Sequence, residues 1–143
     1  MNKTITKVSA FIKKMTRPAT EKQSEKTIFA ESLPLAARFF VQNNFPNRSI
    51  AFASETTTSV GTNFAATLND GIQVEFNENG SWKTVDCNTD AVPATLVPSI
   101  ISTFMDAYYH NVPLVKIEKV DDGYKVTLSN YATLKFKDVV NVA

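Results

Sequence analysis

One stretch of twenty-three residues is written twice in this chain, and nothing else in the sequence constrains the fold as tightly. Leu33 to Glu55 (LPLAARFFVQNNFPNRSIAFASE), moved forward by sixty-four positions, lies without a gap on Val97 to Lys119 (VPSIISTFMDAYYHNVPLVKIEK). Pro34 meets Pro98, Phe40 meets Phe104, Phe45 meets Tyr109, and Ile50 meets Leu114. The match resumes at a shift of sixty, with FAATLND (Phe64 to Asp70) on YKVTLSN (Tyr124 to Asn130) and Phe76 on Phe136. Self-similarity of this kind marks a duplicated supersecondary unit.

Each copy predicts the same elements. In the first, Ser32 is a candidate N-cap and Pro34 falls in the opening turn of a helix. Leu35, Ala36, Phe39 and Phe40, extended by Asn43, are expected to form its buried side before Pro46 stops it. Ile50 to Ser54 reads as strand and Thr56 to Thr62 as loop. Phe64, Ala66 and Leu68 then alternate with polar or small residues, the period of a half-buried strand. Asp70-Gly71 and Asn79-Gly80 signal two hairpins, because the tight turns between paired strands require positive φ. Ile72, Val74 and Phe76 continue the apolar side, and SWKTVD (Ser81 to Asp86) pairs back.

The second copy repeats this with Ile100, Ile101, Phe104, Met105 and Tyr108 as its helical stripe. Tyr131 stands where the first copy has Gly71, and Val139 to Val142 leave only a stub for the last strand. The predicted fold is α+β: two tandem α-β4 repeats, 29–90 and 91–143, in one antiparallel sheet with both helices on one face. A basic arm and linker, residues 1–28, precede this single domain.

Charge divides along the same boundary. Residues 1–28 carry seven Lys or Arg against two Glu, while the remainder carries eight against twelve. Ile5, Val8, Phe11, Ile12 and Met15 recur at helical spacing among the lysines of the arm. A membrane-surface or partner-docking helix is the sharper reading of that pattern, and an arm that is frayed or disordered, or docked on its own domain or a neighbour's, is preferred, since so short a helix binds weakly alone. Ala19 to Lys26 reads as linker. With Met1 as native start the chain is expected to be unexported, because no continuous apolar core of signal-peptide length follows it.

Catalytic chemistry has little to draw on. His110 is the only histidine and Cys87 the only cysteine, in different repeats. A hydrolase built on them would need the two side chains within hydrogen-bond reach. No GxSxG, HExxH, CxxC or phosphate-cradling glycine loop occurs. Glu75 to Gly80 imitates half of a calcium loop, but strands flank it and a hairpin turn accounts for its composition. No cofactor and no metal are expected. The wet sheet face mixes Lys and Glu with Thr and Gln, which argues against nucleic acid and suits a protein or peptide. Its candidate partner-binding residues are Trp82, Glu75, Lys83, Lys116, Lys125, Tyr131 and Lys135, with Trp82 as anchor. Strand alternation allows Trp82 to point inward equally well.

The helix opening LP, NNFPN before a strand, the DG hairpin, VEFNENGSW, and the YKVTLSN…LKF echo together resemble the PepSY-like, beta-lactamase-inhibitor-like family (DUF2874) of Bacteroidetes. The resemblance spans roughly Phe29 to Val139, with Val74 to Trp82 its most specific piece. It implies a duplicated two-layer fold, a periplasmic or cell-envelope location, and peptide binding or peptidase inhibition. No catalytic residues carry over from that family. The expected function is non-enzymatic binding through the helix-free face, and the alternative is a structural or assembly protein acting by oligomerisation.

Overall fold

The computed structural model describes residues 23 to 137. Eight strands form one sheet, and every neighbouring pair is antiparallel. Strand β1 (Ser24–Ile28) leads through a short 3₁₀ turn (Ala30–Ser32) into helix α1 (Leu35–Asn44). Strands β2 (Ile50–Thr58), β3 (Gly61–Leu68), β4 (Gln73–Phe76) and β5 (Trp82–Asp86) follow as a meander. A second 3₁₀ turn (Ala94–Leu96) and helix α2 (Ser99–Tyr108) lie between β5 and strand β6 (Leu114–Val120). Strands β7 (Gly123–Leu128) and β8 (Thr133–Lys137) end the described chain, and the sheet runs in sequence from β1 to β8.

Cross-strand register places the helices. Ala53, Ala66, Val74, Val85, Ile117, Val126 and Leu134 face one another across β2 to β8, so all seven point to one side. Phe64, Phe76 and Trp82 extend that side at one end, as Tyr124 and Phe136 do at the other. Phe40 of α1 meets Phe76 edge-on at 5.8 Å, and Phe104 of α2 meets Phe136 edge-on at 5.3 Å. Both helices therefore cover the same face. Val74, Phe76, Val85, Ile117 and Val126 are fully enclosed, each worth about 1.5–3 kcal/mol of apolar burial.

The two halves share local geometry as well as sequence. Pro34 and Pro98 open their helices with φ of −54° and −55° and no side-chain cap. Phe45 and Tyr109 close them by donating to Val41 O and Met105 O. Register shifts between Ile50 and Phe52, and again between Leu114 and Lys116. The halves differ in strand count: four follow α1, and three of the described strands follow α2. The expected stub at 139–142 and the arm stripe from Ile5 to Met15 lie outside the described residues.

Several expectations are corrected. Ser24–Ile28, largely within the supposed linker, is the edge strand β1, paired from Ser24↔Thr57 to Ile28↔Ala53. Four of its five residues are exposed on both sides, so no apolar alternation announces it. Thr56 to Thr62 is not a loop: β2 and β3 run on until only Ser59 and Val60 separate them. Ser32 does not cap α1; it sits in the 3₁₀ turn and Pro34 takes the cap position. The buried helical positions are Ala37 and Val41, matched by Ile101 and Met105. Leu35, Phe39, Ile100 and Tyr108, expected inside, are 52–72% exposed. The β4–β5 turn at Gly80 lies against Pro34, Ala36 and the Ala37 backbone, and α1 buries Ala37 and Val41 while Leu35 and Phe39 point outward.

Candidate functional site

The face opposite the helices is built by the other half of each strand's alternation. One row crosses it as Ser54, Ala65, Glu75, Thr84, Glu118, Lys125 and Lys135, each opposite the next. A parallel row holds Thr67, Gln73, Asp86, Lys116, Thr127 and Thr133. Three of the seven candidate residues, Glu75, Lys125 and Lys135, thus share one row, and Lys116 lies in the next. Lys83 is the extra residue of a bulge in β5, where Phe76 opposes Trp82 and Glu75 opposes Thr84. It lines a shallow groove on this face together with Glu75.

Trp82 is not on this face. It is 9% exposed, pairs with inward-facing Phe76, and lies 6.2 Å from the Phe40 ring. The Lys119 ammonium also lies over the ring, 4.2 Å from its centroid, a cation–π contact. Burial lowers the Lys119 pKa from its ordinary value. Bulk explains the placement: an indole in this position fills the space between α1 and the sheet. Lys119 was missed because a lysine flanked by Glu118 and Val120 on a strand carries no sign of inward aim.

Among the described residues, the helix-free face is indented by two grooves of note. The first, about 300 Å³, is lined by Glu25, Ser54, Asn63, Glu75 and Lys83 among others. The second, about 230 Å³, is lined by Asp86, Asn88, Lys116, Thr127, Ser129 and Tyr131 among others. Lys116 Nζ stands 3.8 Å from a Glu118 carboxylate oxygen. Tyr131 occupies the β7–β8 turn with φ 71° and 91% of its surface exposed. Asn88, which the sequence reading passed over, has φ 62° beside the same groove. Its signal was the polar run Asn88-Thr89-Asp90, since asparagine tolerates the left-handed region.

Cys87 is buried, and its pKa is pushed up to about 11, first by burial and then by Asp86 and Asp90. Its thiol is protonated at neutral pH and unsuited to nucleophilic attack. His110 is exposed beyond the end of α2. Arg48 donates to Asp70 in the first DG turn, which lowers the Asp70 pKa. In the calcium-like stretch, Asn77 Oδ1 accepts from the Asn79 and Ser81 N–H groups, and Glu78 Oε1 accepts from Thr62 N–H. These acceptors serve the hairpin. Among the described residues, no group of three or more His, Cys, Asp or Glu could hold a metal ion.

Comparison with known proteins places this architecture. A family model described as "Putative beta-lactamase-inhibitor-like, PepSY-like" matches residues 62–143. No curated protein sequence matches the chain. A "putative periplasmic protein of unknown function" from Bacteroides vulgatus has a similar crystal structure, with TM-score 0.76 and 32% identity over 82% of this chain and 93% of that one. A "putative calcium-regulated periplasmic protein" from Bacteroides thetaiotaomicron gives TM-score 0.75 and 29% identity over 79% of this chain and 89% of that one. A "putative periplasmic protein" of the DUF2874 family, also from Bacteroides vulgatus, gives TM-score 0.75 and 31% identity over the same shares, 79% and 89%.

Proposed function

As this chain belongs to the PepSY-like, beta-lactamase-inhibitor-like family, we propose that it is a non-enzymatic, periplasmic binding protein. It takes a protein or peptide partner on the helix-free face of its sheet, and peptidase inhibition is one form such binding would take. The observation that carries the reading is the division of the sheet. One side is sealed by α1 and α2, and the other presents a largely polar surface eight strands wide, with a half-exposed Phe52 opposite Thr67 and two shallow grooves. A mixed surface of Lys, Glu, Thr and Gln suits a specific contact of moderate affinity. The protonated Cys87 thiol and the self-satisfied Asn77–Gly80 turn support binding over catalysis or calcium chemistry.

The test is site-specific photo-crosslinking, with the reactive residue at Thr84 in the centre of the helix-free face or at Phe39 on the outer side of α1. Expression in a Bacteroides host, with adducts identified by mass spectrometry in envelope and cytosolic fractions, tests partner and compartment together. An adduct from Thr84 in the envelope fraction is expected. An adduct from Phe39 alone, or from the cytosol alone, overturns the reading.

A second reading, assembly through oligomerisation, is favoured by Leu35, Phe39, Ile100 and Tyr108, large apolar side chains exposed on the outer helical surfaces. It predicts a stable oligomer in light scattering without added partner, lost in Leu35→Arg.

A further inference from the structure

The duplication supplies an internal control for the β7–β8 turn. In the first half, Gly71 N–H donates to Leu68 O, Leu68 N–H to Ile72 O, and Ile72 N–H to Asp70 Oδ1. In the second half, Tyr131 N–H donates to Leu128 O, Leu128 N–H to Ala132 O, and Ala132 N–H to Asn130 Oδ1. The turns are the same, and the same slot is left-handed in both, with φ 93° at Gly71 and 71° at Tyr131. Glycine meets this requirement freely, whereas a bulky aromatic there is strained. The strain gains nothing in packing, because the Tyr131 side chain stands almost wholly in solvent.

Strain retained without a structural return points to use. Tyr131 stands at the rim of the second groove, beside Asp86, Lys116, Thr127 and Ser129. Charge says what would lie there. Outward positions of β5 to β8 carry Lys83, Lys116, Lys125, Lys135 and Lys137 against Asp86 and Glu118. Outward positions of β1 to β4 carry Glu25 and Glu75 and no lysine. Lys125 and Lys135 sit directly opposite each other, a like-charge pair that disfavours the sheet by itself. The face is electrically polarised, and its basic half contains the Tyr131 groove.

We propose that the Tyr131 groove is the docking point for an acidic segment of a protein partner, with the exposed phenol as its aromatic anchor and the lysines of β6 to β8 as its charge complement. This rests on the helix-free face being the binding face, and names the half and the partner chemistry. An exposed Tyr with two side-chain torsions is well suited to such a role, since aromatic anchors dominate interface energetics.

The test uses the whole chain and two fluorescein-labelled probes, a short Asp/Glu-rich peptide with a central phenylalanine and its Lys-rich counterpart. Fluorescence anisotropy is expected to show salt-sensitive binding of the acidic probe and none of the basic one. Tyr131→Gly is expected to weaken the acidic probe by about tenfold or more. Its denaturation midpoint is expected to stay level or rise, since glycine relieves the turn. Equal binding by Tyr131→Gly and the parent overturns the inference, as does failure of the acidic probe to bind. Amide chemical-shift mapping separates the inference from the reading beneath it. Shifts at Asn88, Lys116, Thr127 and Ser129 support both. Shifts confined to Ser54, Asn63, Glu75 and Lys83 overturn the groove assignment but keep the binding face. Shifts confined to α1 and α2 overturn both.

Discussion

Replacing Gly80 by alanine tests how tightly α1 is held to its side of the sheet. Gly80 lies in the β4–β5 turn with φ 91°, and an added Cβ would stand 3.0 Å from Ala36 Cβ, 3.1 Å from Ala37 N and 3.1 Å from Pro34 Cβ. Two effects add. Holding an alanine in the left-handed region costs about 1–2 kcal/mol. Forcing a methyl group against backbone and ring atoms that lie closer than ordinary contact adds about 1–3 kcal/mol. Gly71→Ala provides the control, because φ is 93° there and nothing lies within 4 Å of the added Cβ. Chemical denaturation with comparable m-values is expected to show Gly80→Ala destabilised by about 2–5 kcal/mol and Gly71→Ala by about 1–2 kcal/mol. The difference reports the crowding of the hairpin against the first turn of α1. If Gly80→Ala is no worse than Gly71→Ala, the helix does not pack on the hairpin as described, and the sealing of that face fails with it.

Trp82 fluorescence is expected to be blue-shifted and resistant to iodide, since the ring is buried with Phe40 and Lys119 against it, and Trp82→Ala is expected to cost about 3–5 kcal/mol of stability. Cys87 is expected to react with a thiol reagent only on unfolding. Its folded pKa is raised from 9.0 to about 11, so the folded state holds the proton more tightly. The resulting stability is present below pH 9 and is lost as pH rises toward 11, by at most about 1.4 kcal/mol per unit; a Cys87→Ala variant, compared across that range, is expected to lack this decline. Lys135→Glu, on the edge strand β8, turns the like-charge pair with Lys125 into an opposite-charge pair and is expected to raise stability by a few tenths of a kcal/mol while weakening the acidic probe.

The gapless repeat made the architecture legible, because two copies of one amphipathic pattern can bury their apolar sides only against a common core. Alternation through Ala66, Val74 and Val126 located the inward positions of the central strands correctly. Legibility ended where burial stopped following composition. Strand β1 is exposed almost throughout, so Ser24–Ile28 offered no periodicity to find. In α1, Leu35 and Phe39 suggested the buried side by bulk, yet the small Ala37, with Val41, is the side that faces the core. Trp82 was undecidable for a related reason. The bulge at Lys83 shifts the alternation of β5 by one residue, and no sequence signal marks it. The second groove depends on side chains from β5, β6, β7 and two turns, so only the sheet register could assemble it.

The claim that binding occurs on the helix-free face is tested most directly by selection that assumes nothing about partner chemistry. A displayed random peptide library is selected on the parent chain, and the recovered peptides are measured against Thr84→Arg and Leu35→Arg. Thr84 lies mid-row on the helix-free face, and Leu35 is more than half exposed on α1, so both variants are expected to fold. The account predicts that recovered peptides lose binding to Thr84→Arg and keep it on Leu35→Arg. Peptides that bind Thr84→Arg unchanged and fail on Leu35→Arg would contradict it.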